Sequence, residues 1–276
     1  MCPEFTVLEP DFLMDVTSVA ECFSRTGDSV YQYLANKFLM KQHSFSIMKG
    51  NMANFFLDEI LKSDDPESID YRTIFAKTFR INPLAFALFK DEEVKQLFKD
   101  CFYHFENIKT VIRRDFSDFK ILKEQTLIEP FFLSPTFGIQ GRLDLMHIRA
   151  GDEGHKDIIE LKSGKSPDPT GASQMWINHL IQVQLYDLLL ASAYDEDRKG
   201  FNFILYSAAQ MQNMRHASRL KGLQQQAIMV RNRMVAIDFE LADTSPENLP
   251  KKSMGKLKTE FHLNEQGFIF EKFRQK

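Results

Sequence analysis

The sequence predicts an α/β protein, a mixed sheet flanked by helices and preceded by a helical lobe. Three observations predict it. From Asp11 to about Phe119 apolar residues recur at helical spacing. From Leu122 the period changes to that of strands, and beyond Gln174 helix, strand and helix alternate.

Taken in order, Thr17 or Ser18 is placed to cap a first helix running through Val19, Cys22 and Phe23. Met48, Met52, Phe55, Phe56 and Ile60 share one face of another helix, which Ser63-Asp64-Asp65-Pro66 stops. Phe75, Phe79 and the run Phe86 to Phe89 carry the apolar face past that break, as core residues do. KEQTLIEPFFL and FGIQGRLDLMHI flank Ser134-Pro135-Thr136 as the limbs of a hairpin. The polar turn AGDEGHKD leads to a third strand, IIELK. An amphipathic helix follows from about Gln174 to Ala193, then the apolar strand FNFILYS and a long helix from about Ser218 to Ala242. Pro246 and Pro250 mark turns in the tail, where GFIFEKF reads as a last strand. The expected division is a helical lobe over 1–120, an α/β core over 121–243 and a C-terminal extension over 244–276.

At 276 residues, 43% hydrophobic and 26% charged, the chain has the balance of a soluble globular protein. A net charge of −3 argues against generic polyanion binding, so any nucleic-acid contact needs a local basic patch. No apolar run approaches the roughly 20 residues of a membrane span. The first residues lack the basic and then apolar order of a signal peptide. Cys2, Cys22 and Cys101 are scattered, with no C-x-x-C pair, which sets the expectation of a reducing, cytoplasmic setting.

The chemistry concentrates between Glu129 and Tyr186. In IIELKSGK, alternation points Glu160 and Lys162 to one face of a strand and Leu161 to the other. Asp144, in GRLDLM, falls on the preceding strand beside them. Two convergent carboxylates make a hard oxygen site suited to Mg²⁺ or Mn²⁺, and the lysine adds a positive charge to stabilise a phosphoryl group under attack. Metal-assisted phosphodiester hydrolysis needs these parts. Charges on a strand are usually a solvated face, but Glu160 follows Ile158-Ile159, in a run apolar enough to be central. His179, Gln182 and Tyr186 form a polar stripe on the next helix, beside a packing face of Ile177, Leu180, Ile181, Leu188 and Leu189. Such a stripe can present amide and phenol groups to substrate or to Lys162. Glu129 is ambiguous: one hairpin register puts it opposite Asp144 and near the metal, and a one-residue slip sends it to the other face.

GRLD, then ELKSGK, then H-x-x-Q-x-x-x-Y is the ordered pattern of RecB-type PD-(D/E)XK nucleases, and the chain resembles that family. GIQGRLDLM, IIELKSGK and NHLIQVQLYDLLL look most like the nuclease domain of the replicative, Okazaki-fragment-processing nuclease-helicases. The spacer-acquisition exonucleases of CRISPR systems are more distant. The likeness covers roughly Thr126 to Ile237, with weaker matches at VTSVAECF and MKGNMANFF. It implies a restriction-endonuclease-like fold and a Mg²⁺- or Mn²⁺-dependent deoxyribonuclease acting on single-stranded or flapped DNA in replication or repair, with a helicase or other repair proteins as partners. It further implies Asp144 and Glu160 as metal ligands, Lys162 as the catalytic lysine, and Gln182 and Tyr186 as the accessory motif.

The sequence departs from the family in three ways. Relatives often hold an iron-sulfur cluster on one cysteine before the core and three after it; Cys22 matches the first, but no cysteine follows Cys101, so no cluster is expected. Where many relatives carry a metal-binding histidine, GNMANFF has Asn54, a neutral oxygen ligand. No Walker motif is found: Gly164-Lys165-Ser166 resembles the end of one, but Ile159 occupies the first glycine position. Gly200 to Ile237 contains no Asp or Glu but does contain Arg215, Arg219, Lys221, Arg231 and Arg233, a local positive tract. Together with Lys165 and His179, it is the expected DNA-binding set. A catalytically silent DNA-binding or scaffold domain is the alternative, and an RNA-directed nuclease is compatible with the same fold.

Overall fold

The structure, a computed structural model, describes residues 4–38, 44–152, 154–167, 174–194, 198–245, 247–248, 252 and 255. GFIFEKF lies outside the described residues.

A short strand, β1 (Met14–Asp15), leads into α1 (Val16–Ala20). Its cap is neither Thr17 nor Ser18 but Asp15, whose carboxylate accepts the Ser18 N–H at 3.1 Å. An aspartate upstream competes for the cap position on equal or better terms. The helix stops at Ala20, and Phe23 lies instead in the small hairpin β2 (Phe23–Ser24) and β3 (Gly27–Asp28). After α2 (Tyr31–Phe38) come the lobe helices α3 (Phe45–Lys62), α4 (Tyr71–Ile81), α5 (Pro83–Phe86) and α6 (Asp91–Phe119). α3 ends before the Ser63-Asp64-Asp65-Pro66 stop and buries Met48, Met52, Phe56 and Ile60. Phe79 stacks on Phe86 with ring centroids 3.9 Å apart. The described residues before α3 pack with the α/β core and not with the lobe helices, because β1 pairs with a core strand and Val16, Val19 and Leu34 join the core's apolar cluster.

The hairpin forms, but bent. Its limbs are β4 (Thr126–Ile128) with β5 (Phe131–Ser134), and β6 (Ile139–Arg142) with β7 (Leu145–Ile148). β5 and β6 join β1 in a three-stranded sheet, while β4 and β7 belong to a five-stranded one. Pairing continues across the bend: the Glu129 N–H donates to the Asp144 carbonyl at 2.9 Å and the Leu143 N–H to the Pro130 carbonyl at 3.0 Å. Glu129 makes the corner with φ of 51°, in the left-handed region and directly before a proline.

The larger sheet runs β10-β9-β8-β7-β4, where β8 is Lys156–Lys162, β9 is Asn202–Tyr206 and β10 is Met214–His216. β8 and β9 are parallel, which requires a crossover, supplied by α7 (Ile177–Tyr194). The last helix is α8 (Lys221–Ala242). This sheet is the middle layer. Ile158, Ile204 and Tyr206 face α1, α7 and α8, whereas Ile159, Leu161, Phe203 and Leu205 pack against α3 and α6. Both faces being covered explains why β8 and β9 read as continuous apolar runs. The result is an α/β fold with a mixed sheet flanked by helices and a lobe of helices beside it. Among the described residues, no helix is long and apolar enough to cross a membrane.

Candidate active site

The bend of the hairpin meets the end of β8. Asp144 sits one residue before β7, and the register Leu145–Ile159 puts it opposite Glu160. Its carboxylate accepts the Leu161 N–H at 2.7 Å. Burial, and then repulsion from Glu160, push the Asp144 carboxyl well above the ordinary carboxylate range, against the opposing pull of Lys162 and the Leu161 N–H.

Glu160 is 3% exposed. One carboxylate oxygen accepts two hydrogen bonds, from Lys162 Nζ at 2.9 Å and from Gln182 Nε2 at 2.8 Å. Among the described residues, the other oxygen is buried without a partner. Leaving a buried charged oxygen unpaired is costly. Lys162 Nζ also donates to Gln182 Oε1 at 2.7 Å, so the amide is held at both ends. Gln182 donates further to Tyr186 Oη at 3.0 Å, and Tyr186 donates to the Arg142 carbonyl at 2.8 Å. Burial, reinforced by the Glu160 charge, raises the Tyr186 phenol and keeps it protonated. Gly141 makes room for this ring: a Cβ there would lie 2.9 Å from Tyr186 Cε1. The structure thus brings Asp144, Glu160, Lys162, Gln182 and Tyr186 into one connected cluster.

His179 lies one turn before Gln182, and its Nδ1 is 3.0 Å from Tyr206 Oη. Burial, then the Lys162 charge, lower its pKa to about 3, so it is a neutral imidazole. Lys165 is exposed, three residues past Lys162.

Glu129 stands opposite Asp144 in the backbone pairing, but its carboxylate pairs with Arg142 at 3.1 Å. Among the described residues, no three His, Cys, Asp or Glu side chains converge on one point. Asp144 and Glu160 are therefore a pair, with Glu129 at its margin. Asn54 lies on α3, which touches the end of β8 at Gly50, where an added Cβ would lie 3.3 Å from Ser163 Oγ. One turn beyond Gly50, Asn54 is half-buried and its side chain makes no hydrogen bond among the described residues. A further turn on, Asp58 is raised by burial, with Lys62 opposing and the Glu129 charge adding to it. Asp58 was not singled out in the sequence, although Gly50, Asn54 and Asp58 form an i, i+4, i+8 stripe that could have flagged it.

The basic tract needs correction. Arg231 is 0% exposed and donates to the carbonyls of Leu8, Glu9, Phe12 and Gly138, so it ties the N-terminal segment to the core and cannot reach a phosphate. Arg215 is 3% exposed and held by Ser166 and the Gln174 carbonyl. Arg219, Lys221 and Arg233 are more exposed, but pair with Asp187, Glu4 and Asp28. The missing acids of the tract are supplied by distant parts of the chain.

The donor set fits a hard divalent cation. Two carboxylates share a site in which they repel each other, and one buried oxygen has an unused lone pair.

No family model matches the sequence, and no curated protein does. Among solved structures, the chain is similar to a crystal structure from Eubacterium rectale described as a candidate exonuclease. The TM-score is 0.50 at 16% identity, covering 82% of this chain and 80% of that one. The likeness is one of fold. A second structure, SSO0001, aligns at 14% identity over 72% of this chain and 88% of that one, with a TM-score of 0.28 too low to carry an argument.

Proposed function

We propose that the chain is a RecB-type PD-(D/E)XK nuclease, a Mg²⁺- or Mn²⁺-dependent enzyme that hydrolyses phosphodiester bonds of single-stranded or flapped DNA. The observation that carries the reading is Glu160. A glutamate on a central strand is buried beside a second carboxylate, with one oxygen fixed by Lys162 and Gln182 and the other unpartnered. Structure alone gives no return for that arrangement; a cation does.

Asp144 and Glu160 would hold the ion, with Asn54 and Glu129 as candidate further oxygen ligands. When bound, the ion supplies Lewis-acid polarisation of a phosphoryl oxygen and acidifies water. The chain's own residues do the rest. Lys162 has three ammonium donors, two of them committed to Glu160 and Gln182, which leaves one to meet the phosphate. Gln182 and Tyr186 are positioning residues: the phenol, anchored on the Arg142 carbonyl, fixes the amide, and the amide fixes the ammonium.

The test is incubation with end-labelled single-stranded, duplex and flapped DNA, and RNA of the same sequence, in Mg²⁺, Mn²⁺ or EDTA. Wild type is expected to cut single-stranded or flapped DNA with metal and not in EDTA. Asp144→Ala, Glu160→Ala and Lys162→Ala should each abolish cutting while retaining the fold. Binding without cleavage by the wild type would turn the reading to a silent DNA-binding domain. Wild-type rates in any of the three variants would refute the assignment of that residue.

A further inference from the structure

We infer that Trp176, Arg25 and Lys165 form a subsite that stacks an unpaired base and holds its flanking phosphates, delivering single-stranded nucleic acid to the Glu160–Lys162 cluster. This rests on the nuclease reading above and names how its substrate is gripped.

Trp176 is the chain's sole tryptophan and stands just before α7. It is half-buried and fixed at two points: its indole N–H donates to the Lys165 carbonyl at 2.7 Å and its backbone N–H to Tyr206 Oη at 3.2 Å. Arg25, exposed in the β2–β3 turn, lays its guanidinium over the indole at 4.1 Å from the ring centroid. Lys165, whose carbonyl takes that indole N–H, is exposed. Among the described residues, neither Arg25 nor Lys165 has an ion-pair partner. The arginines and lysine of the basic tract differ in this respect, being buried or neutralised. The indole thus has one such cation over its face and is tied to the backbone of the residue that carries the other.

The subsite is continuous with the cluster. Tyr206 is the register partner of Lys162 across β8 and β9, and its hydroxyl touches both Trp176 and His179. His179 lies one turn before Gln182 on α7. The backbone of Trp176 is thus tied to Tyr206, the strand neighbour of Lys162.

A fixed indole offers a π face at little entropic cost, and a base gains most from it when unstacked from its neighbours. In a duplex both faces of each base are covered, so this device favours a single strand. Arg25 holds the ring face in the free protein and can stack on, or move aside for, an arriving base. As a planar cation it suits both the ring and a phosphate.

The experiment uses the intact protein in EDTA, so that binding is read without cleavage. Because there is one tryptophan, its emission reports on this position alone. Oligothymidylate is expected to quench it saturably, and a hairpin duplex of the same composition is not; oligouridylate tests whether the sugar matters. By anisotropy of labelled oligothymidylate, Trp176→Ala should weaken binding on the order of tenfold, while Trp176→Phe, which keeps a ring, should stay within a few-fold. Arg25→Ala, an exposed change that spares the fold, should weaken binding and flatten its salt dependence by about 0.7 in log–log slope. Equal quenching by the duplex, no quenching by any single strand, or wild-type binding by both Trp176→Ala and Arg25→Ala would overturn the inference. The two readings fail separately. Quenching by a wild type that cuts nothing leaves the subsite standing and sinks the nuclease; cutting of single strands with KM unmoved in Trp176→Ala and Arg25→Ala does the reverse.

Discussion

Replacing Asp144 by asparagine is expected to make the metal-free protein more stable while destroying its activity. Asp144 and Glu160 lie opposite each other, and burial and mutual repulsion raise the Asp144 carboxyl. Asparagine keeps the shape and retains an oxygen to accept the Leu161 N–H, now made at 2.7 Å. It removes one of two like charges from a partly buried site. Because the group already sheds part of the cost by binding a proton more readily, the expected gain is about 1–2 kcal/mol, well below the limit for two fixed charges. At roughly 2–4 °C per kcal/mol for a chain of this size, Tm in EDTA should rise by about 2–8 °C. The assay is thermal unfolding of wild type and Asp144→Asn in EDTA, then in a titration of Mg²⁺ or Mn²⁺. Metal should stabilise the wild type, by preferential binding to the folded state, and leave the variant nearly unmoved. A lower Tm for Asp144→Asn in EDTA, or the same metal response in both proteins, would refute the claim that this carboxylate is retained for a cation.

Three further outcomes follow from other contacts. His104 is buried with Nδ1 2.9 Å from Ser207 Oγ, and burial, with the Lys49 charge adding and Asp100 opposing, lowers its pKa to about 4. Its contribution to stability is complete above about pH 6.5, the unfolded value, and is lost as pH falls from there through about 4. A loss on the order of 2 kcal/mol over that window should be flattened in His104→Gln, measured by urea unfolding against pH. Gly141→Ala places a methyl 2.9 Å from the Tyr186 ring and 3.2 Å from Val16 Cβ. It should cost about 1–3 kcal/mol and lower the cleavage rate on the order of 10²-fold by shifting the Tyr186–Gln182–Lys162 chain. Arg231→Met strips the carbonyls of Leu8, Glu9, Phe12 and Gly138 of a shared donor. Stability should fall by about 3–5 kcal/mol, while the salt dependence of DNA binding stays that of wild type, a comparison that separates a structural arginine from a phosphate contact.

The parts of the fold legible in the sequence are those fixed by short-range periodicity. IIELK is legible as a central strand and FNFILYS as an apolar one because each is covered by a layer on both faces. The helix carrying Gln182 and Tyr186 is legible from its spacing, though not its near-complete burial: from Ile181 to Leu190 every residue is inside, Gln184 and Asp187 included. Those two polar residues are satisfied from across the fold, Gln184 by Ser218 and Leu220, Asp187 by Arg198, Arg219 and Gln224. The same cause misleads the reading of the basic tract. A count of charges along a segment says nothing of the partners that tertiary contact brings, and Arg219 and Arg233 are neutralised by acids 32 and 205 residues away. β10 has only three residues and no pattern to betray it. The bend in the hairpin escapes notice because it depends on a backbone conformation of Glu129 that its residue type disfavours.

That bend, and what it exposes, separates the demands of folding from those of chemistry. At φ of 51° glycine would fit without strain, and a left-handed glutamate costs about 1–2 kcal/mol. On β8, every residue from Lys156 to Leu161 is buried, and an apolar side chain in place of Glu160 would leave no orphaned oxygen. α3 turns Asp58, raised by burial, towards the same corner. Each departure from the locally favoured choice places a carboxylate near that corner, Glu129 met by Arg142 and Asp58 by Lys62. Elsewhere in the core, two buried acids have both oxygens met: Asp157 lies between His147 and His155, and Asp187 meets two arginines and Gln224. A fold that meets its buried acids at those places, and at Glu160 meets one oxygen but not the other, leaves at that corner the gap that the proposed cation would fill. Rule-breaking choices that survive together are expected at functional sites. Lys162 alone cannot fill that gap. It already spans Glu160 and Gln182, and among the described residues the second oxygen of Glu160 still stands without a donor.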